Sequence, residues 1–105
     1  MPPTGKKLGI LVSRPPEHPA FVHGVKLAEA AIRAGLIVYL YCIDDAVRGV
    51  GDARLQSLRG AGLNLFACAY AAQQRRLPIT DAAVFSGLSI VTELVAGTDR
   101  FVSFN

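Results

Sequence analysis

The sequence predicts a small doubly wound α/β domain, with a mainly parallel five-stranded sheet and helices on both faces. Two observations predict it. Segments of strand and helix character alternate along the chain. Each strand segment is a continuous apolar run and not an in/out alternation, which is the pattern of a strand buried on both sides. The length of 105 residues fits a single domain, 1–105, with one hydrophobic core.

The elements follow in order. "LGILVS" (8–13) is a short apolar run and reads as the first strand. "RPPEHP" (14–19) is a proline-rich loop. From Pro19 to Ala34, Phe21, Val25, Ala28 and Ile32 recur at three- and four-residue steps and give one apolar helix face, which Gly35 ends. "LIVYLYC" (36–42) is a β-branched and aromatic second strand. Residues 43–62 contain two glycine breaks and read as a loop or short helical turn, then a helix over Ala53–Arg59. "LNLFAC" (63–68) is the third strand, and "AYAAQQRR" (69–76) is helix-prone and closed by Pro78. "AAVFSG" (82–87) is open between a short strand and a loop. Leu88, Val91, Leu94 and Val95 mark a helix over 88–97, and "RFVSF" (100–104) is a terminal strand.

Composition narrows the function classes. Hydrophobic residues make up 51% and charged residues 18%, and the mean hydropathy is +0.37. So apolar a small domain either buries its sheet on both faces or covers surface with a partner, and a homo-oligomer is expected. The net charge of +3 is mild and its arginines are scattered, so direct nucleic-acid binding is not expected. No apolar stretch approaches the roughly 20 residues that span a bilayer, so no membrane partner is expected. "MPPTGKK" followed by a six-residue apolar run is not laid out as a secretory leader, and a cytoplasmic location is expected. Two cysteines in such a chain read as free thiols. Cys42, Cys68, His18 and His23 lack the paired spacing of a zinc site.

In an open parallel sheet, ligands gather at the carboxyl ends of the strands. Ser13, Cys42, Asp44, Asp45 and Cys68 fall at that edge, and Ser86 joins them if "AAVFSG" is a strand. Cys68 also stands where a strand gives way to a helix, whose free N–H groups favour an anion and so a thiolate. Cys68 is thus either an activated nucleophile or a small buried hydrophobe. Arg75 and Arg76 either aim a guanidinium back at Cys68 or form a solvated helix end. His18, in the loop after the first strand, can reach the same edge. Cys42 reads as strand-end packing, or as a resolving thiol if its strand neighbours that of Cys68. Asp44 and Asp45 are loop and capping residues or an acid pair. The loop "SRPPEHPAF" lacks the glycines of a phosphate-binding turn, there is no GxSxG elbow, and "CAYA" is not a CxxC redox motif.

"LNLFACAYAAQQRR" resembles the strand-to-helix segment of the DsrE/TusD-like (DsrE/DsrF/YchN-like) sulfur-relay family, in which an apolar strand delivers a cysteine followed by small residues and an arginine pair. "FSGLSIVTELVAGTDRFVSFN" resembles that family's ending. "LGILVS" and "HPAFVHGVKLAEAAIRAG" suit its first strand and helix. In this chain Leu77 stands where the family usually has glycine. The resemblance implies a cytoplasmic trimer or hexamer whose cysteine carries sulfur as a persulfide between donor and acceptor proteins, without a cofactor. By position Cys68 inherits that role, with Arg75, Arg76 and His18 as candidate binding residues. Two alternatives stand beside it: a non-catalytic assembly or small-ligand-binding subunit, and a thiol redox protein using Cys42 and Cys68.

Overall fold

The computed structural model describes residues 4–105. Five strands, β1 (Lys7–Val12), β2 (Ile37–Cys42), β3 (Asn64–Cys68), β4 (Val84–Ser86) and β5 (Arg100–Phe104), form one sheet in the order β4-β3-β2-β1-β5. Every pairing is parallel. Between the strands lie α1 (Pro19–Arg33), α2 (Ala53–Gly60), α3 (Ala69–Gln74) and α4 (Ser89–Gly97). The stretch left open between loop and helical turn contains a 3-10 helix, Asp44–Gly49, and the ambiguous segment at 82–87 supplies the three-residue β4.

The strand order explains the layers. From β1 to β4 the chain steps across the sheet in one direction, and from β4 it returns to the far side of β1. Right-handed crossovers place outward and returning helices on opposite faces. One face carries Leu8, Ile10, Val12, Val38, Leu40, Cys42, Leu65 and Ala67, all buried. There α1 comes so close that a Cβ on Gly24 would lie 2.8 Å from Val12 Cγ2. Phe21 of α1 is fully buried. Burying an aromatic side chain of this kind stabilises by roughly 1.5–3 kcal/mol. The other face carries Gly9, Tyr39, Tyr41, Phe66 and Cys68, by the same register. Among the described residues α4 is the helix on this side, with Ile90 and Leu94 beside Tyr39 and Phe66, and a Cβ on Gly9 would lie 2.5 Å from the Phe101 ring of β5 and 3.3 Å from Thr98 Oγ1, just past the end of α4. Cover on this second face is partial, and Ile37 and Val84 remain 39% and 56% exposed.

Local chemistry sets the helix ends. His18 caps α1 through Nδ1, which accepts from the Ala20 N–H at 3.0 Å, and Pro19 supplies the preset φ of the first turn. Three helices then stop in the same way, by paired bonds back to the last turn with one left-handed residue between them. Gly35 (φ +86) does this after α1 and Gly62 (φ +114) after α2. After α3 the left-handed residue is Arg76 (φ +55), with Leu77 N–H bonded to Ala72 O at 2.9 Å and Arg76 N–H to Gln73 O at 3.1 Å. A side chain in that conformation costs about 1–2 kcal/mol that glycine does not. Among the described residues, no helix is long and apolar enough to cross a membrane.

Asp52 caps α2. Its carboxylate accepts from Arg54 N–H at 2.9 Å and from the Arg54 guanidinium at 3.0 and 2.9 Å. The guanidinium first, and the backbone N–H groups after it, hold the Asp52 carboxyl below the usual carboxylate range. A depressed folded value means that the contribution is complete above the unfolded value, about 3.9. It is lost as the pH falls through the folded value. Asp52→Ala is therefore expected to lower stability by about 1 kcal/mol in urea unfolding near neutral pH. The gap to the parent protein should narrow below roughly pH 4.

Candidate functional site

The strand "NLFAC" delivers Cys68 to the carboxyl edge of the sheet, one residue before α3 begins. Its backbone is extended (φ −73, ψ 114), as a helix N-cap should be. Its Sγ accepts from the Ala71 N–H at 3.4 Å, so a thiol fills a capping position usually held by an oxygen. The residue is only 2% exposed.

Strand register decides what meets it. Tyr41 is paired with Phe66, and Cys68 with Ser86. Side chains alternate along a strand, so Tyr41, Cys68 and Ser86 share one face. Fully buried Tyr41 reaches from β2 past β3 to the end of β4, where its hydroxyl lies 3.4 Å from Ser86 O and 3.3 Å from Gly87 O. Burial foremost, then the adjacent Cys68 sulfur, pushes the Tyr41 phenol well above its ordinary range, with the Ser86 hydroxyl opposing. The phenol therefore keeps its proton at neutral pH and can donate a hydrogen bond. Ser86 Oγ has less than 1 Å² of exposed surface and no hydrogen-bond partner among the described residues. A thiol, a phenol and an unpaired hydroxyl thus converge at one point of the sheet edge.

The other expected residues are employed elsewhere. Arg75 caps the end of α3 and turns to Asp45, with Nε to Oδ1 at 2.9 Å, while its NH1 donates to Ala71 O at 3.2 Å. It thereby ties the 3-10 helix after β2 to α3. Arg76 is exposed and occupies the left-handed position that ends the helix. His18 sits after β1, with β2 between that strand and β3, and its Nδ1 is taken by the cap of α1. These three side chains do not gather around Cys68. Asp44 and Asp45 open the 3-10 helix, and Ser13 Oγ bonds to Asn105 Oδ1 at 2.9 Å. Among the described residues, no three His, Cys, Asp or Glu side chains come together as a metal site would need.

Cys42 takes the opposite face. It pairs with Ala67, so its side chain points away from that of Cys68 although their strands are neighbours. Two thiols directed to opposite sides of a sheet cannot be bridged without breaking the strand pairing. The redox alternative that joins them is thereby corrected: adjacent strands brought the two cysteines close, and the register turned them apart. Cys42 is fully buried, and burial pushes its thiol up to about 12. In the native protein, Cys42 should resist iodoacetamide near neutral pH and react only after denaturation. Non-reducing mass spectrometry after mild oxidation should show no loss of two hydrogens within one chain. An intramolecular disulfide would contradict the observed register.

Sequence reasoning placed Cys68 and Ser86 at this edge but passed over Tyr41. Its signal lay in the alternation of "LIVYLYC", where Tyr41 and Cys42 must face opposite ways. No family model matches the chain, and comparison with curated proteins finds no match. Among solved structures, the ychN protein from E. coli aligns over 96% of this chain and 100% of its own, with TM-score 0.77 and 18% sequence identity. The chain has a YchN-like fold.

Proposed function

We propose that the chain is an intracellular sulfur carrier that holds sulfane sulfur as a persulfide on Cys68 and passes it between partner proteins. The observation that carries this reading is the position of Cys68: last residue of β3, cap of α3, with its sulfur against the Ala71 N–H and beside the Tyr41 phenol. The YchN-like fold and the sequence resemblance support it. Cys68 thiolate attacks the outer sulfur of a donor persulfide, R–S–SH. The donor S–S bond breaks, a new S–S bond forms on Cys68, and the donor leaves as R–S⁻. The products are Cys68–S–SH and a thiolate, so the transfer needs no external oxidant or reductant. An acceptor thiolate repeats the step on the outer sulfur.

Burial sets a condition on this chemistry. With 2% of Cys68 exposed, a donor reaches the sulfur only when the edge around it opens. The Tyr41 contacts to Ser86 O and Gly87 O, at 3.4 and 3.3 Å, are the long hydrogen bonds at that edge. Candidate roles for Arg75, Arg76 and His18 move outward, to docking a donor or acceptor protein over the edge.

The burial of Cys68 also favours a second reading, an assembly subunit in which the cysteine only packs. Treatment with inorganic polysulfide distinguishes the two. The carrier gains the mass of one sulfur atom on the Cys68 peptide, and a Cys68→Ser chain does not. No gain at Cys68 would leave the assembly reading.

Self-association belongs to both readings. Ile37, Val84, Leu88 and Val95 are 39%, 56%, 54% and 53% exposed, which is a large amount of uncovered apolar side chain for a domain of this size. A trimer or a dimer of trimers is proposed. Light scattering at micromolar concentration should then give a multiple of 11.2 kDa, and the monomer mass alone would count against it.

A further inference from the structure

We infer that Ser86 and Tyr41 form a binding site for the outer sulfur of a Cys68 persulfide, with the Ser86 hydroxyl as its principal donor; the inference rests on the persulfide reading above. The site is assembled from three neighbouring strands. Cys68 and Ser86 are register partners on β3 and β4, and Tyr41 reaches them from β2 on the same face. Ser86 Oγ is shut off from solvent and has no hydrogen-bond partner among the described residues, although the Tyr41 hydroxyl is its neighbour. An unsatisfied buried hydroxyl costs about 1–3 kcal/mol. Such a group is accounted for if it acquires its partner when the site is loaded.

The chemistry of the ligand matches. A persulfide anion, Cys68–S–S⁻, carries its charge on the outer sulfur and has no proton to donate. Buried at this edge it needs donors, because an unpaired buried charge is costly. The Ala71 N–H already serves the inner sulfur at 3.4 Å. The Ser86 O–H is free to turn to the outer one. Tyr41 O–H rests on two carbonyl oxygens at 3.4 and 3.3 Å, beyond the usual 2.5–3.0 Å of an O–H···O bond, so little is lost when it redirects its proton to sulfur. The ligand class is therefore a single sulfane sulfur bound as an anion by two hydroxyls. Neither residue exchanges a proton or electron with it. Both are positioning residues, which hold the outer sulfur while the S–S bond stays intact.

The test uses the full chain loaded with inorganic polysulfide, and follows the Cys68 persulfide by peptide mass and by its transfer to cyanide as thiocyanate. Ser86→Ala should still load at Cys68, but its persulfide should be lost about tenfold faster, the effect of removing one hydrogen bond to a charged group. Ser86→Thr, which keeps the hydroxyl, should restore the parent lifetime. Tyr41→Phe should shorten the lifetime as well, and the Ser86→Ala, Tyr41→Phe pair further. The alkylation rate of unloaded Cys68 should be nearly unchanged in Ser86→Ala, which separates loss of the sulfur site from general loosening of the edge. If the parent protein loads and Ser86→Ala holds its persulfide equally long, the site is wrong and the carrier reading stands. If the parent protein takes up no sulfur at Cys68, the carrier reading fails and the site fails with it. If Ser86→Ala unfolds, the comparison of Ser86→Thr with Ser86→Val decides: equal lifetimes in the two overturn the site.

Discussion

The register of β2 against β3 governs the chemistry of this molecule. Tyr41 opposite Phe66 and Cys42 opposite Ala67 leave Cys68 one step beyond, and each step along a strand turns the side chain over. From that one alignment Cys42 enters the core on the face of α1, and Cys68 joins Tyr41 and Ser86 on the face that carries α4. A slip of β3 by one residue would bring Cys68 onto the face of Cys42 and would turn Phe66 away from Tyr39, breaking a ring pair whose centroids lie 6.5 Å apart. Aromatic and aliphatic packing thus fixes which side chains share the face of Cys68.

Much of the fold was legible because its signals are local. Continuous apolar runs marked "LGILVS", "LIVYLYC" and "LNLFAC" as strands buried on both sides, and Gly35 marked the end of α1 through its left-handed backbone. Boundaries moved by a residue or two where ends are set by capping. Lys7 joins β1 through the pairing with Ile37, and α3 stops at Gln74 because Arg75 already serves as its cap. The position of Cys68 at a strand-to-helix junction was legible for the same reason. Its company was not, because Tyr41 and Ser86 reach it through strand order and register, which join residues far apart in the chain.

The basic residues carry a related lesson. Arg75, Arg76 and His18 look in sequence like groups that converge on an anion. Each has a structural place instead: Arg75 pairs with Asp45, Arg76 stands exposed at the left-handed end of α3, and the His18 ring accepts from the Ala20 N–H of α1. The Arg75–Asp45 pair is partly exposed, at 28% and 52%, and contributes at most about 1 kcal/mol. It nevertheless links the segment after β2 to the helix after β3, the two elements that flank Tyr41 and Cys68.

The return of the chain from β4 to the far side of β1 bears on biosynthesis. β1 pairs with β2, the next strand to be made, but its other edge pairs with the last strand, β5, and the bond from Lys7 N–H to Asp99 Oδ2 joins residues 92 apart. Until the ribosome has made Arg100–Phe104, the edge formed by Leu8, Ile10 and Val12 offers unpaired N–H and C=O groups, as an open strand does. Pairings of such long range form slowly. A nascent chain stalled in α4 would present that edge to chaperones, or to the same strand of another copy.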